Sequence, residues 1–365
     1  CALAALTVIK HGTEGKNPIG EADLEWIFAR NCEGTEQLRL FYGFRGMGMV
    51  LQSIKSIFAL LILIGMGFYF AGKKWFGKNG MDFLSKFTVE ATLPFYMFYN
   101  IYRDLESRER LLFLITKVPY VFALILMCVC LAAVTAKVCR IREDRRDTFI
   151  VAAGFPNVVF IGFPVIQALW GEGITSVGAI YYIASTVLFW TLGISLLQRG
   201  EKNGKSARWA QNIKNLFCPT VVGMFLGMAA VFFRIEVPDF ILKPLSMISG
   251  VTSPLALVFI GSVIRNMETS SIRIGKDIVV AVLMRFIMVP ATAVVFLRLL
   301  PVTQEMREVF FMLTVMPAMA QMGIMAREYD RDYEFACTVI TVTTVISMVT
   351  IPVFMYLMQT FVIFG

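Results

Sequence analysis

Two stretches decide how this chain reads: Ala153-Gly154-Phe155-Pro156-Asn157-Val158-Val159-Phe160-Ile161-Gly162-Phe163-Pro164, and Met316-Pro317-Ala318-Met319-Ala320-Gln321-Met322-Gly323. Each lies inside an apolar run, and each carries glycine and proline where a continuous helix should continue. Proline removes a backbone donor and breaks a helix. In lipid, such a break survives only where protein or a water-filled cavity surrounds it. The two stretches therefore predict two interrupted membrane helices meeting inside the protein. Ordinary kinks are the plainer reading of either stretch alone, because Gly and Pro are common in membrane helices. Their recurrence at corresponding places favours a site.

The runs around them support a membrane setting. Of 365 residues, 57% are hydrophobic and 16% charged, where a soluble domain carries about a quarter charged. Ten apolar runs approach the roughly 20 residues that a spanning helix needs. They fall at roughly 51–72, 81–102, 111–136, 148–169, 174–197, 213–233, 239–264, 277–300, 307–326 and 333–360, with ends placed to within about two to four residues. Residues 1–48 are mixed and polar and are set apart as an N-terminal extension. Residues 1–9 lack the basic start and cleavage site of a signal peptide. The expected fold is an all-α integral membrane protein of ten transmembrane helices. Residues 49–197 form a first five-helix repeat, 198–212 a linker, and 213–365 a second repeat.

The repeat rests on an offset of about 160 residues. Pro94 matches Pro254 in spans 2 and 7, and Phe155-Pro156-Asn157 matches Met316-Pro317-Ala318 in spans 4 and 9. Five spans per half is an odd number, so the second copy enters from the opposite side. Inverted repeats of this kind are typical of secondary transporters, with the solute site at the broken helices. Broken helices present positive N-terminal ends that suit a carboxylate or another anion.

Charge sets the orientation. Lys73, Lys74, Arg140, Arg142, Arg145 and Arg146 stand for the richer set of loops, those after the odd-numbered spans. The positive-inside rule puts that set, and the 198–212 linker, in the cytoplasm of a multi-pass cell-membrane protein, with both termini outside. The net charge of +8 is thereby explained without nucleic acid. Seven cysteines show no disulfide or zinc spacing. His11 is the only histidine, which argues against a His-based triad or metal site. No paired carboxylates lie within the spans and no Walker motif is present. Neither an enzyme nor an ATP-driven pump is indicated, and no cofactor is expected.

Asn157-Val158-Val159-Phe160-Ile161-Gly162-Phe163-Pro164 resembles the N-x-x-F-[IL]-G-x-P signature of the auxin efflux carrier family. Leu169-Trp170-Gly171-Glu172-Gly173 is similar to the family's turn after span 4, and Ala326-Arg327-Glu328-Tyr329-Asp330 to its stretch after span 9. Thr343-Thr344-Val345-Ile346-Ser347 with Ile351-Pro352 is similar to its last span. The likeness covers roughly residues 50–362. It implies two inverted five-helix repeats with spans 4 and 9 as crossover helices, and transport of carboxylates such as malate or auxin-like acids. By resemblance, Asn157 contacts the substrate carboxylate and Pro164 holds the break. The chain departs from the plant carriers in span 9. Those place a second proline near the crossover, where this chain has Met322 or a close neighbour, and Gln321 and Gly323 loosen the helix instead.

The candidate substrate set is Asn157, Gly162, Pro164, Gln167, Pro317, Gln321 and Gly323. Two charges inside spans are candidates for coupling or support, since charge in a membrane helix is functional by default. Glu90 either carries a proton, sits beside the cavity and tunes its field, or lies near the interface paired with Lys86. Arg285 either snorkels, pairs with Glu90, or attracts an anion. Thr341, Thr343, Thr344 and Ser347 read as packing. The expected partners are a small organic anion and the bilayer, with proton or sodium coupling and a homodimer open. Two other readings remain: a sodium-coupled symporter of the bile-acid type, and a membrane receptor without flux.

Overall fold

The computed structural model describes residues 58–75, 78–105, 107–199, 217–266 and 274–360. The expected N-terminal extension and most of the 198–212 linker lie outside these residues. Among the described residues the chain is helical, with one isolated bridge between extended residues and no strands.

Among the described residues, five helices are long and apolar enough to cross a membrane: α3 (Arg108–Val138), α5 (Thr175–Leu197), α7 (Asp239–Asn266), α8 (Lys276–Leu299) and α10 (Tyr333–Thr360). Shorter apolar helices are α1 (Phe58–Gly72) and α6 (Pro219–Phe232). Helix α2 runs from Lys78 to Asp104 through a π turn, Phe87–Thr92. Two helices come in pieces. One is α4a (Glu143–Gly154) followed by α4b (Val158–Trp170); the other is α9a (Gln304–Thr314) followed by α9b (Gln321–Glu328).

Proline explains three of the π turns. Those at Phe87–Thr92, Val158–Gly162 and Met284–Met288 stand just before Pro94, Pro164 and Pro290. A proline cannot donate to the preceding turn, and a π bulge absorbs the shifted register without ending the helix.

The helices form two groups. Helices α1, α2, α6 and α7 pack on one another through glycine. A Cβ on Gly67 would overlap the Val258 carbonyl, and one on Gly261 the Ile64 carbonyl. In α6, Gly223 and Gly227 press against the backbone of Pro94 and Phe98 in α2. These are small-residue contacts of the kind that let membrane helices approach closely, since lipid offers no hydrophobic drive between helices. Helices α3, α4, α5, α8, α9 and α10 pack around the two breaks. Large side chains such as Phe83, Leu226, Ile287 and Val295 point outward, while Ala132, Ala153, Ala281 and Ala293 are buried. This is the reverse of a soluble surface and suits a lipid surround.

An ion network closes one end of the second group. Arg145 at the start of α4a holds Asp332 before α10 at 2.6 Å and Asp277 of α8 at 3.8 Å. Asp147 faces Arg199 beyond α5 and Arg331 before α10.

Candidate functional site

The two breaks meet. Pro156 and Ala318 form an antiparallel bridge. The Asn157 amide donates to the Pro317 carbonyl at 2.8 Å, and the Met319 amide donates to the Phe155 carbonyl at 3.2 Å. Each unwound segment thus satisfies part of the other's freed backbone, which membrane burial demands. A third strut comes from α10: Thr343 Oγ1 accepts from the Ala318 amide at 3.2 Å while donating to its own helix. Phe155, Asn157, Met316 and Ala318 are buried.

Asn157 does two things at this point. Its Oδ1 accepts from the Phe160 amide at 3.1 Å, capping α4b, a role that asparagine fills well. Its Nδ2 is buried and has no partner among the described residues. A buried donor without an acceptor is costly, so this amide is suited to a ligand oxygen.

Arg285 is the largest fully buried side chain among the described residues. It stands in the π turn of α8 and donates to three carbonyls: Nε to Met316 at 2.6 Å, Nη1 to Ala153 at 2.9 Å, and Nη2 to Thr314 at 2.9 Å. Ala153 and Thr314 lie at the C-terminal ends of α4a and α9a, and Met316 lies just beyond. The snorkelling expectation is corrected, because every nitrogen is engaged inside the protein. Pairing with Glu90 is also corrected. Glu90 is exposed on α2 and faces Lys86 at 3.8 Å, one turn earlier, the partner named in its plainer reading. The helix end carbonyls, not a carboxylate, attract the guanidinium.

The other expected residues divide. Gly162 lies where a Cβ would reach to 2.8 Å from Leu313 Cδ2 of α9a, so its lack of a side chain lets the broken helices approach. Pro164 is buried in the second turn of α4b. Pro317 joins through its carbonyl. Gln167 bridges the two helix groups: Ser253 of α7 donates to its Oε1 at 2.8 Å, and its Nε2 donates to Thr175 Oγ1 of α5 at 3.5 Å. Gly323 packs against Ile340 of α10. Gln321 begins α9b with its side chain exposed. Thr343 does more than pack as expected, because an unwound segment needs acceptors for its freed amides and its Oγ1 supplies one. Thr344 and Ser347 do donate back to their own helix. Beside the crossover, a cleft of about 30 Å³ is lined by residues including Ile64, Ile161, Val165, Leu257, Thr344 and Ser347.

Thr343→Val removes the acceptor for Ala318 and is expected to lower stability by about 1–3 kcal/mol. Thr343→Ser, which keeps the oxygen, is expected to retain most of it. Thermal unfolding of purified protein in detergent compares them.

The family described as membrane transport protein matches residues 52–355. The chain belongs to that family. Its motifs place it with the auxin efflux carriers within this group. The match covers α1 to most of α10 and includes both breaks. An uncharacterized transporter of Methanocaldococcus jannaschii is 26% identical over 320 residues, covering 83% of this chain and 97% of that protein. An uncharacterized transporter of Methanothermobacter thermautotrophicus is 24% identical over 314 residues, covering 82% of this chain and 96% of its own. The chain is a multi-pass membrane protein and a transporter, not an enzyme.

Proposed function

We propose that this transporter carries small organic anions, carboxylates such as malate or auxin-like acids, across the cell membrane by alternating access. The observation that carries the reading is the charge balance at the crossover. Each helix end behaves as roughly half an elementary charge, negative at the C-terminus and positive at the N-terminus. Arg285 lies on the C-terminal carbonyls of α4a and α9a and offsets their negative ends. The N-terminal ends of α4b and α9b keep their positive character, and the free Nδ2 of Asn157 stands at the first of them. The net field is positive and suits a carboxylate, with Asn157 as its first contact.

The same reading takes the chain as ten membrane transits in two inverted repeats, 49–197 and 213–365. Under the repeat, α1 and α2 exchange with α6 and α7, and α4 exchanges with α9. The separation of these sets into two packed groups supports it. One group rocks against the other, with Gln167–Ser253 among the contacts exchanged. The cleft beside the crossover, about 30 Å³, is not lined by Asn157, and on this reading the rocking movement opens the way from it to the Asn157 amide. The ends joined by Arg145, Asp332, Asp147 and Arg331 face the cytoplasm on this reading, with both termini outside.

Purified protein in liposomes is expected to accumulate labelled malate saturably, and unlabelled malate or an auxin-like acid is expected to compete. Folded, reconstituted protein that takes up no carboxylate under either sign of membrane potential would sink the proposal.

A further inference from the structure

The carbonyls under Arg285 form a place where a transporter would ordinarily bind a coupling cation. The last carbonyls of a helix have no partner within it and carry the negative end of its dipole. Where two broken helices end together in a membrane protein, such carbonyls coordinate Na⁺ or take part in proton movement. Here Ala153, Thr314 and Met316 supply them, all buried.

One guanidinium occupies all three, at 2.6 to 2.9 Å. No carboxylate is paired with Arg285 among the described residues. Its positive charge is matched by the two helix ends, about one half charge each. The side chain is tethered to α8, so unlike a bound ion it does not leave during the cycle. It also does not release its proton, since a guanidinium stays charged in proteins. The position 160 residues earlier, by the offset that relates Pro94 to Pro254, is Ile125, buried and apolar. A single arginine therefore serves both broken helices.

We propose that Arg285 is a built-in replacement for a coupling cation, filling the carbonyl cage of the crossover so that the transporter works without Na⁺ at this site. The inference rests on the organic-anion reading for its consequence, which is that substrate charge and membrane potential drive transport. The cage itself is independent of which solute is carried.

Three measurements on the full chain test it. The first is thermal unfolding of purified protein in NaCl, KCl or choline chloride at equal ionic strength. Wild type is expected to unfold at the same temperature in all three. A saturable rise with Na⁺ alone would mark a cation site that Arg285 has not filled, and would overturn the proposal. The second uses Arg285→Ala, which empties the cage. That variant is expected to unfold at lower temperature and to regain stability saturably with low millimolar guanidinium, to which wild type does not respond; indifference of the variant to guanidinium and to Na⁺ overturns the proposal. If Arg285→Ala does not fold, Arg285→Lys takes its place. It keeps one ammonium in the cage and is expected to show a smaller rescue of the same kind, with the same overturning result. In liposomes, anion uptake is expected to be equal with external Na⁺ or choline, and uptake that needs Na⁺ refutes the inference. Because the stability readouts use no substrate, a failure of malate uptake sinks the substrate reading while leaving the cage tested.

Discussion

Asn157→Asp is expected to fold and to transport carboxylates at least about 100-fold more slowly than wild type. The argument separates the two jobs of one side chain. The cap oxygen that receives the Phe160 amide survives in aspartate and in serine, which cap helices about as well as asparagine. The Nδ2 donor, buried and unpartnered, is lost in both. A hydrogen bond to a charged ligand contributes about 1.5–3 kcal/mol, so its removal in Asn157→Ser slows uptake by about tenfold to a hundredfold. Aspartate adds a negative charge facing an anion and lowers the rate further. Asn157→Ala loses the cap too, and is expected to unfold with about 1 kcal/mol less stability than wild type. Malate uptake at matched protein density, beside thermal unfolding, gives the comparison. Equal transport by Asn157→Asp and wild type rejects Asn157 as a ligand contact.

The second large effect concerns assembly. Gly67→Ala and Gly261→Ala each set a methyl group against backbone of the facing helix, at Val258 and Ile64. A carbonyl cannot swing aside as a side chain can, so α1 and α7 must part. Overpacking alone costs about 1–3 kcal/mol, and parting the helices also stretches the hydrogen bond from Ser262 Oγ to the Gly67 carbonyl, 3.2 Å in the intact pair. The pair of substitutions together is expected to leave no monodisperse protein on size-exclusion chromatography in detergent. Gly65→Ala, in the same helix two residues away, has open space around the new methyl. It is expected to be neutral or to gain about 0.5–1 kcal/mol from helix propensity. A Gly65→Ala protein as damaged as Gly67→Ala would show that flexibility of α1, not its packing on α7, is what these glycines supply.

Much of this molecule is legible in its residues. Apolar runs near spanning length mark the helices, because lipid accepts little else. Gly154-Phe155-Pro156-Asn157 and Met316-Pro317 mark the interruptions, because proline and glycine act on the backbone locally, whatever surrounds them. Asn157 stands out for the same reason: a new helix start after a break needs a cap. These signals are local, and local signals can be read in order along the chain.

The fate of the two buried-looking charges is not local. Glu90 and Arg285 both interrupt apolar runs, and both precede a proline by four or five residues. One is exposed beside Lys86, and the other lies at the centre holding three carbonyls. The difference is the face of the helix each side chain occupies, and hydropathy cannot report that in a helix with apolar surroundings on both sides, lipid without and protein within. Nor does Thr343 announce that it receives the Ala318 amide, since threonines in membrane helices usually bond their own backbone, as Thr344 does. The break at crossover helix α4 and the break at α9 were each written in the sequence. That they touch, and that an arginine from α8 closes both, was decided only when three distant helices brought their unpaired backbone groups together out of reach of water.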